Sequence, residues 1–410
     1  MIDPGGERGS SPFLHFHETV MTRFIVTAVL VAGLAGGART ESLTLGFFQS
    51  GTNNLFQTSL PEKDYLSHLS FAFEKSFSPL SFFTQGTYSY LYRNTSVSNY
   101  EQEAGLDIVR PLGEKTALYL AAKAGGAIYR ETYVDFNFLT LGLSAAAKCY
   151  LNDTSILKLN ADLDYKDYRL SIFDSLVHYF SASLDRYFET QTTLRADANW
   201  GLKHFFHPYA LEPITPEEPA YSAGGGNGPG AGPMGRRSGF ARLASDHSSR
   251  NLQVFSVQGL IAQGIGSRVG LRISGLRQWT LSGENPFISV DEFYMIENPS
   301  TDVFSWNGGL VSGQITAEIP WDIQLRLGYT RSWKEFPGIE AMDMGGASLG
   351  ITREDTRNQW EARLEKNFRG FSVYLSYSDI DNRSNDPLYD WRGHFLMAGI
   401  EWSVNWGNTE

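Results

Sequence analysis

Ile156-Leu157-Lys158-Leu159-Asn160-Ala161-Asp162-Leu163-Asp164-Tyr165-Lys166 separates into two faces when it is read in steps of two. Leu157, Leu159, Ala161, Leu163 and Tyr165 alternate with Lys158, Asn160, Asp162, Asp164 and Lys166. Period two places successive side chains on opposite sides of a strand. Residues 190–203 repeat the pattern, with Leu194, Ala196, Ala198, Trp200 and Leu202 against Arg195, Asp197, Asn199 and Lys203. One face is apolar and the other ionic along the whole run, whereas strands of globular proteins average only about five to six residues.

The alternation continues toward the C-terminus. Val269, Leu271 and Ile273 oppose Arg268, Arg272 and Ser274; Ile323, Leu325, Leu327 and Tyr329 oppose Asp322, Gln324 and Arg326; Trp360, Ala362 and Leu364 oppose Glu361, Arg363 and Glu365. A soluble β-sandwich also alternates, but with shorter strands and turns about every 8–12 residues. Strands of about ten residues, apolar outside and polar inside, indicate a transmembrane β-barrel. The fold expected is therefore all-β, an antiparallel barrel.

Composition agrees. The chain has 410 residues, net charge −11, 14% aromatic residues, 41 glycines and one cysteine. No apolar run is long enough for a membrane-spanning helix, which needs about 20 residues; barrel strands escape that test because half of each is polar. Twenty Tyr, 27 Phe and nine Trp are ample for interfacial girdles. The lone Cys149 excludes an intrachain disulfide and a cysteine-built metal site. An acidic chain does not suit nucleic acid, which wants a basic face.

Met21-Thr22-Arg23 precedes an apolar run, Phe24 to Leu34, and then the small residues Ala35-Gly36-Gly37-Ala38. A basic start, an apolar stretch too short to span and a small-residue exit form an export signal, with cleavage expected after about Ala38. An amphipathic first helix or a buried apolar segment is the other reading of this stretch. No cysteine follows for a lipid anchor. Residues 1–20, with Pro4, Gly5, Gly6 and Pro12, look like neither signal nor fold and read as a non-native or mis-assigned extension. The expected organisation is thus 1–20 extension, 21–38 signal peptide and 39–410 barrel.

Sixteen candidate strands follow: 42–52, 65–77, 80–93, 99–110, 115–129, 133–150, 155–168, 176–188, 190–206, 249–264, 268–281, 303–319, 321–334, 354–367, 370–379 and 390–406. Every second connection is tight, as at Ser78-Pro79, Asn152-Asp153-Thr154 and Arg369-Gly370, while the others include all the long ones: 53–64, 169–175, 207–248, 282–302, 335–353 and 380–389. Short periplasmic turns below and long extracellular loops above are the expected arrangement. Two strands resist. In 133–150 the apolar parity switches between Phe138 and Leu139, which a bulge would explain, and in 249–264 Val254 opposes Phe255 and Val257. The stretch 207–247, with Gly224-Gly225-Gly226 and Pro at 208, 213, 216, 219, 229 and 233, cannot pack a core. It reads as an extracellular loop, with inward folding to narrow a pore as the alternative.

Leader, two-faced strands and loop asymmetry together resemble the bacterial outer-membrane β-barrel proteins of roughly porin size. The final strand adds to this: Leu396, Ala398, Ile400, Trp402, Val404 and Trp406 are similar to the aromatic C-terminal signal by which such proteins are recognised for insertion, although Gly407-Asn408-Thr409-Glu410 follow the last aromatic. The resemblance covers about 370 residues and is architectural. It implies an outer-membrane location, lipid as solvent and the barrel-assembly machinery as partner. Trimeric general porins fold a long third loop into the channel; here the third outer connection, near Arg130-Glu131-Thr132, reads as minimal.

Catalytic motifs fare poorly. Gly346-Ala347-Ser348-Leu349-Gly350 matches G-x-S-x-G, which needs a strand–elbow–helix setting. Gly230 to Gly235 matches G-x-G-x-x-G without a preceding strand and with a proline inside. His204 and His207 lack a third metal ligand nearby. Asp379, Asp381, Asn382, Asn385 and Asp386 could ligate calcium, but are also ordinary turn residues. Asp291, Glu292 and Glu297 read as a solvated acidic loop. No enzyme, metal or cofactor is expected.

The function expected is a passive, porin-like channel for small hydrophilic solutes; a surface-binding barrel whose outer loops hold a partner, and an export pore, are the alternatives. Candidate pore-lining residues are Lys123, Lys158, Asp162, Asp164, Lys166, Arg195, Asp197, Lys203, Arg268, Arg272, Asp322, Arg326, Glu361, Arg363 and Glu365. Bases outnumber acids in this set, which predicts a weak anion preference at low salt.

Overall fold

The alternation becomes a closed ring of strands in the computed structural model, which describes residues 40–169, 173–206, 250–284, 303–344 and 347–406. They are β1 (Thr40–Thr52), β2 (Asp64–Ser76), β3 (Leu80–Leu91), β4 (Asn99–Pro111), β5 (Thr116–Tyr129), β6 (Phe138–Asn152), β7 (Ser155–Tyr168) and β8 (Ser175–Tyr187). The ring continues with β9 (Thr192–Phe205), β10 (Asn251–Ile265), β11 (Val269–Ser282), β12 (Asn307–Ile319), β13 (Ile323–Met342), β14 (Ser348–Phe368), β15 (Phe371–Ser384) and β16 (Trp391–Trp406). Each strand pairs antiparallel with its neighbours in sequence, and β16 pairs with β1, Leu45 opposite Trp402, to close the barrel. Closure leaves no unpaired edge, the one way a sheet satisfies every backbone group in hydrocarbon. No helix is long and apolar enough to cross a membrane.

Residues paired across strands share a face, so the two-faced reading of β7 propagates around the ring. Leu159 sits beside Ala147 and then Leu118 in one direction, and beside Ala182, Ala198 and Val257 in the other. This outer face is apolar and bare: Leu141 is 59%, Ile273 62% and Trp360 61% exposed. Such a surface is unfavourable in water, by about 25 cal/mol per Å². Tyr65, Tyr88 and Tyr92 are exposed at the long-loop end and Trp321 and Phe368 at the short-turn end, in the places of two aromatic girdles.

Strand count and up–down order follow the sequence reading; four local features differ. Residues 131–136 form a 3-10 turn and β6 starts at Phe138, so the parity switch there reflects the end of a turn, with no bulge. For the same reason the third long-side connection spans 130–137 and is not minimal. Strands β13 and β14 extend to Met342 and from Ser348, so most of 335–353 is a hairpin that outruns the ring; its register slips between Phe336 and Glu340, where Gly338 takes φ +78°. Strand β15 likewise continues to Ser384. The leader, residues 1–20, the Pro/Gly stretch 207–247, most of loop 282–302 and Gly407–Glu410 lie outside the described residues.

Buried apolar side chains gather almost entirely at the long-loop end. One cluster joins inner-face residues Leu66, Leu91, Tyr129, Phe138 and Tyr168 with loop residues Leu55, Phe56, Val97, Tyr133, Phe136 and Phe173. A second holds Phe205, Leu252, Val254 and Phe304, and a third Trp306, Phe336 and Ile339. This explains β10: Val254 points inward onto Phe304 while Phe255 and Val257 point outward.

Candidate functional site: the inner wall of the barrel

Below those clusters the inner face is polar. The register places Lys123, Lys158, Asp162, Asp164, Lys166, Arg195, Asp197, Lys203, Arg272, Arg326, Glu361, Arg363 and Glu365 on it, as the alternation indicated. Arg268 and Asp322 stand at the short-turn ends, one residue before β11 and β13 begin; both are exposed, the Arg268 carbonyl accepts from the Glu318 amide at 2.8 Å, and Asp322 adopts a left-handed φ of 57°.

The wall is cross-braced. Asp185, with a fully buried side chain, accepts from Lys158 Nζ at 2.7 Å and from Arg195 Nε at 2.5 Å. Ser183 donates to Asp197, Asn160 to Ser181 at 2.8 Å and Asn199 to Ser256 at 3.2 Å. Ser274 and Ser312 share a bond of 2.7 Å. Lys123 pairs with Glu103 at 3.1 Å. Glu365 pairs with Arg363 at 3.1 Å and Arg326 at 3.6 Å, and Arg363 lies 4.4 Å over the Tyr374 ring. A recess of about 460 Å³ opens along the wall, bordered by Thr44, Glu101, Glu103, Lys123, Asp164, Lys166 and Glu401. Groups held this way stand in fixed positions.

Several inward charges are not evident from the cleanest alternations. Glu74, Glu101, Glu103, Asp107, Asp185, Glu318 and Glu401 also face inward, with Lys148, Lys334 and Arg357. Glu101 and Glu103 are obscured because their outward neighbours Tyr100 and Gln102 are polar, hydrogen-bonded to one another and to Thr84. With these included, acids at least match bases, so the basic lean of the sequence-derived set disappears. The charge is also unevenly spread. The inner faces of β16, β1, β2, β3 and β4 carry Glu401, Glu74, Glu101, Glu103 and Asp107 and no Lys or Arg. Across β11–β14 stand Arg272, Arg326, Lys334, Arg357 and Arg363 among acids. At roughly 0.1 M salt each charge acts over about 10 Å, so the inner wall divides into local patches.

Other groups marked by the sequence have structural partners. Asp379 pairs with Arg392 at 3.0 Å and Asp381 with Arg383 at 3.4 Å. Asn382 donates to the Tyr389 carbonyl, and Asp386 accepts from the Leu388 and Met342 amides. The calcium-like oxygens are therefore engaged by protein donors, and among the described residues no group of His, Cys, Asp and Glu is arranged to hold a metal. Ser348 donates to Glu340 and opens β14, so no helix follows to make a nucleophile elbow. His204 bonds Asn251 at 2.7 Å; His207 is outside the described residues.

No protein-family model and no curated protein matches the chain in sequence. Its fold is similar to that of CdiB from Acinetobacter baumannii, with TM-score 0.51 at 8% identity over 89% of this chain and 60% of that one. Two other similar structures are OpdK from Pseudomonas aeruginosa, solved with vanillate (TM-score 0.47, 9% identity, 90% and 98% covered), and OccAB3 from Acinetobacter baumannii (0.49, 10%, 91% and 100%). At these identities the likeness is one of fold: the closed antiparallel barrel of outer-membrane proteins.

Proposed function

We propose that this barrel sits in the bacterial outer membrane and acts as a passive, porin-like channel for small hydrophilic solutes. The observation that carries the reading is the inner wall: a ring of sixteen strands whose interior below the loop clusters is ionic and hydrogen-bonded, as a water-filled lumen requires. A ring of this size leaves an aqueous lumen, and mixed fixed charge suits hydrated solutes. The bare apolar outer face suits lipid. The outward row Leu396, Ala398, Ile400, Trp402 and Val404 of β16 is the surface through which assembly machinery would recognise the closing strand.

The test is electrical. Purified, refolded protein in a planar bilayer should give stepwise ohmic conductance, and vesicles containing it should swell in small sugars. A folded barrel that stays silent in both assays overturns the channel reading and favours a surface-binding role.

A further inference from the structure

The connection between β1 and β2 joins neighbouring strands, so it has only to rise over the rim and return. It turns inward instead. Thr52, Asn54, Leu55, Phe56, Gln57 and Thr58 are each no more than 6% exposed, unlike a surface loop. On one side the segment rests on β16: a Cβ on Gly393, an inner-face position, would stand 3.2 Å from Asn54 Cβ. The His394 amide donates to Asn53 Oδ1 at 2.8 Å, and the Ser59 amide to the Leu388 carbonyl at 2.8 Å. On the other side Leu55 and Phe56 pack among inner-face residues Leu66, Leu91, Tyr129 and Phe138. The segment braces itself as well: Asn54 Nδ2 donates to the Thr58 carbonyl at 2.8 Å and the Leu55 amide to Glu62 at 2.7 Å.

We propose that residues 53–62 form the size-limiting constriction of the pore, a fixed filter on the inside of the mouth, seated on β16 on one side and in the apolar cluster on the other. The inference rests on the channel reading. A loop held at both ends and cored by fully buried Leu55 cannot move aside for each solute, so the widest solute admitted is set by this segment.

Two variants test it in bilayers. Replacing residues 53–62 with Asn-Gly should raise conductance about two-fold or more and admit larger neutral polymers, since pore diameter governs both. In a Cys149→Ser background, Asn54→Cys with Gly393→Cys should cross-link in the folded barrel, the Cβ separation being close to the disulfide range of about 3.5–4.5 Å. Conductance and polymer cut-off should then be the same before and after reduction. Equal conductance of shortened and native barrels overturns the constriction and leaves the channel standing. Silence of both native and shortened barrels overturns the two readings together. Should the shortened loop fail to fold, the cysteine pair decides: no cross-link removes the seat, and conductance that rises on reduction means a moving lid.

Discussion

Leu159 and Asn160 are neighbours in the chain and should respond oppositely to the same substitution. Leu159 lies four residues beyond the start of β7 at Ser155. With about 3.4 Å per residue and a tilt of about 40°, it stands roughly 10 Å above the short-turn end, near the middle of an apolar band about 25 Å tall. It is 45% exposed on the outer face, with only Ala147 and Ala182 beside it, so no neighbour can shield a charge. Leu159→Arg should cost about 2–4 kcal/mol, a loss of roughly 30- to 700-fold in folding equilibrium at 1.4 kcal/mol per decade. Asn160 faces inward and donates to Ser181 at 2.8 Å. Asn160→Arg forfeits that bond, worth about 1 kcal/mol, and places the guanidinium in water close to Asp162. Folded yield in lipid vesicles, read from heat-modifiable mobility across a urea series, measures both. Equal losses would refute the assignment of faces, and with it the inner wall.

Four further outcomes follow from the wall and the mouth. Asp185→Asn leaves Lys158 and Arg195 without their shared anion; because those two side chains remain 34% and 37% exposed, the cost should be about 1–3 kcal/mol by urea midpoint, with ion selectivity shifted toward anions. Arg353, 2% exposed, is bound to Asp355 and stacked 4.4 Å from Phe336 and 3.2 Å from Tyr389, so Arg353→Ala should cost about 3–5 kcal/mol and open the β13–β14 hairpin to protease before the ring unfolds. Native channels should show little ion preference, and a permeability ratio beyond about three in either direction would mean that one wall patch dominates. In the loop before β2, burial pushes the Glu62 carboxyl above the usual carboxylate range. The folded loop therefore binds this proton more tightly than the unfolded chain, so its stabilisation is full at low pH and is lost as pH rises through the elevated pKa; protease nicking of residues 53–62 should increase over that window, and Glu62→Gln should flatten the profile.

Much of the ring was legible because a membrane imposes a strict rule on one face and water on the other. Where both rules apply, as in β7 and β9, each side chain is assigned by parity alone, and the sixteen strands and their up–down order follow. The reading weakens in β4, where Tyr100 and Gln102 face outward but satisfy one another by hydrogen bonding, so polarity no longer tells inside from outside.

The long-loop end resisted for another reason, and the way it did so carries information. Leu66, Leu91, Tyr129, Phe138, Tyr168, Leu252 and Val254 are apolar residues at inward positions, which an open aqueous lumen would not favour at about 25 cal/mol per Å² of exposed apolar surface. Apolarity on both faces of a barrel strand means that something other than water covers the inner one. Here the covers are Leu55 and Phe56, the turns carrying Val97, Tyr133 and Phe136, and Phe304. Loss of alternation in the last turn of consecutive strands, such as the parity switch at Phe138 and the misphased Val254, is therefore a sequence mark of loops that fold inward. By that mark the connection 53–62, whose Leu55 and Phe56 enter such a core, is one of the loops that fold inward.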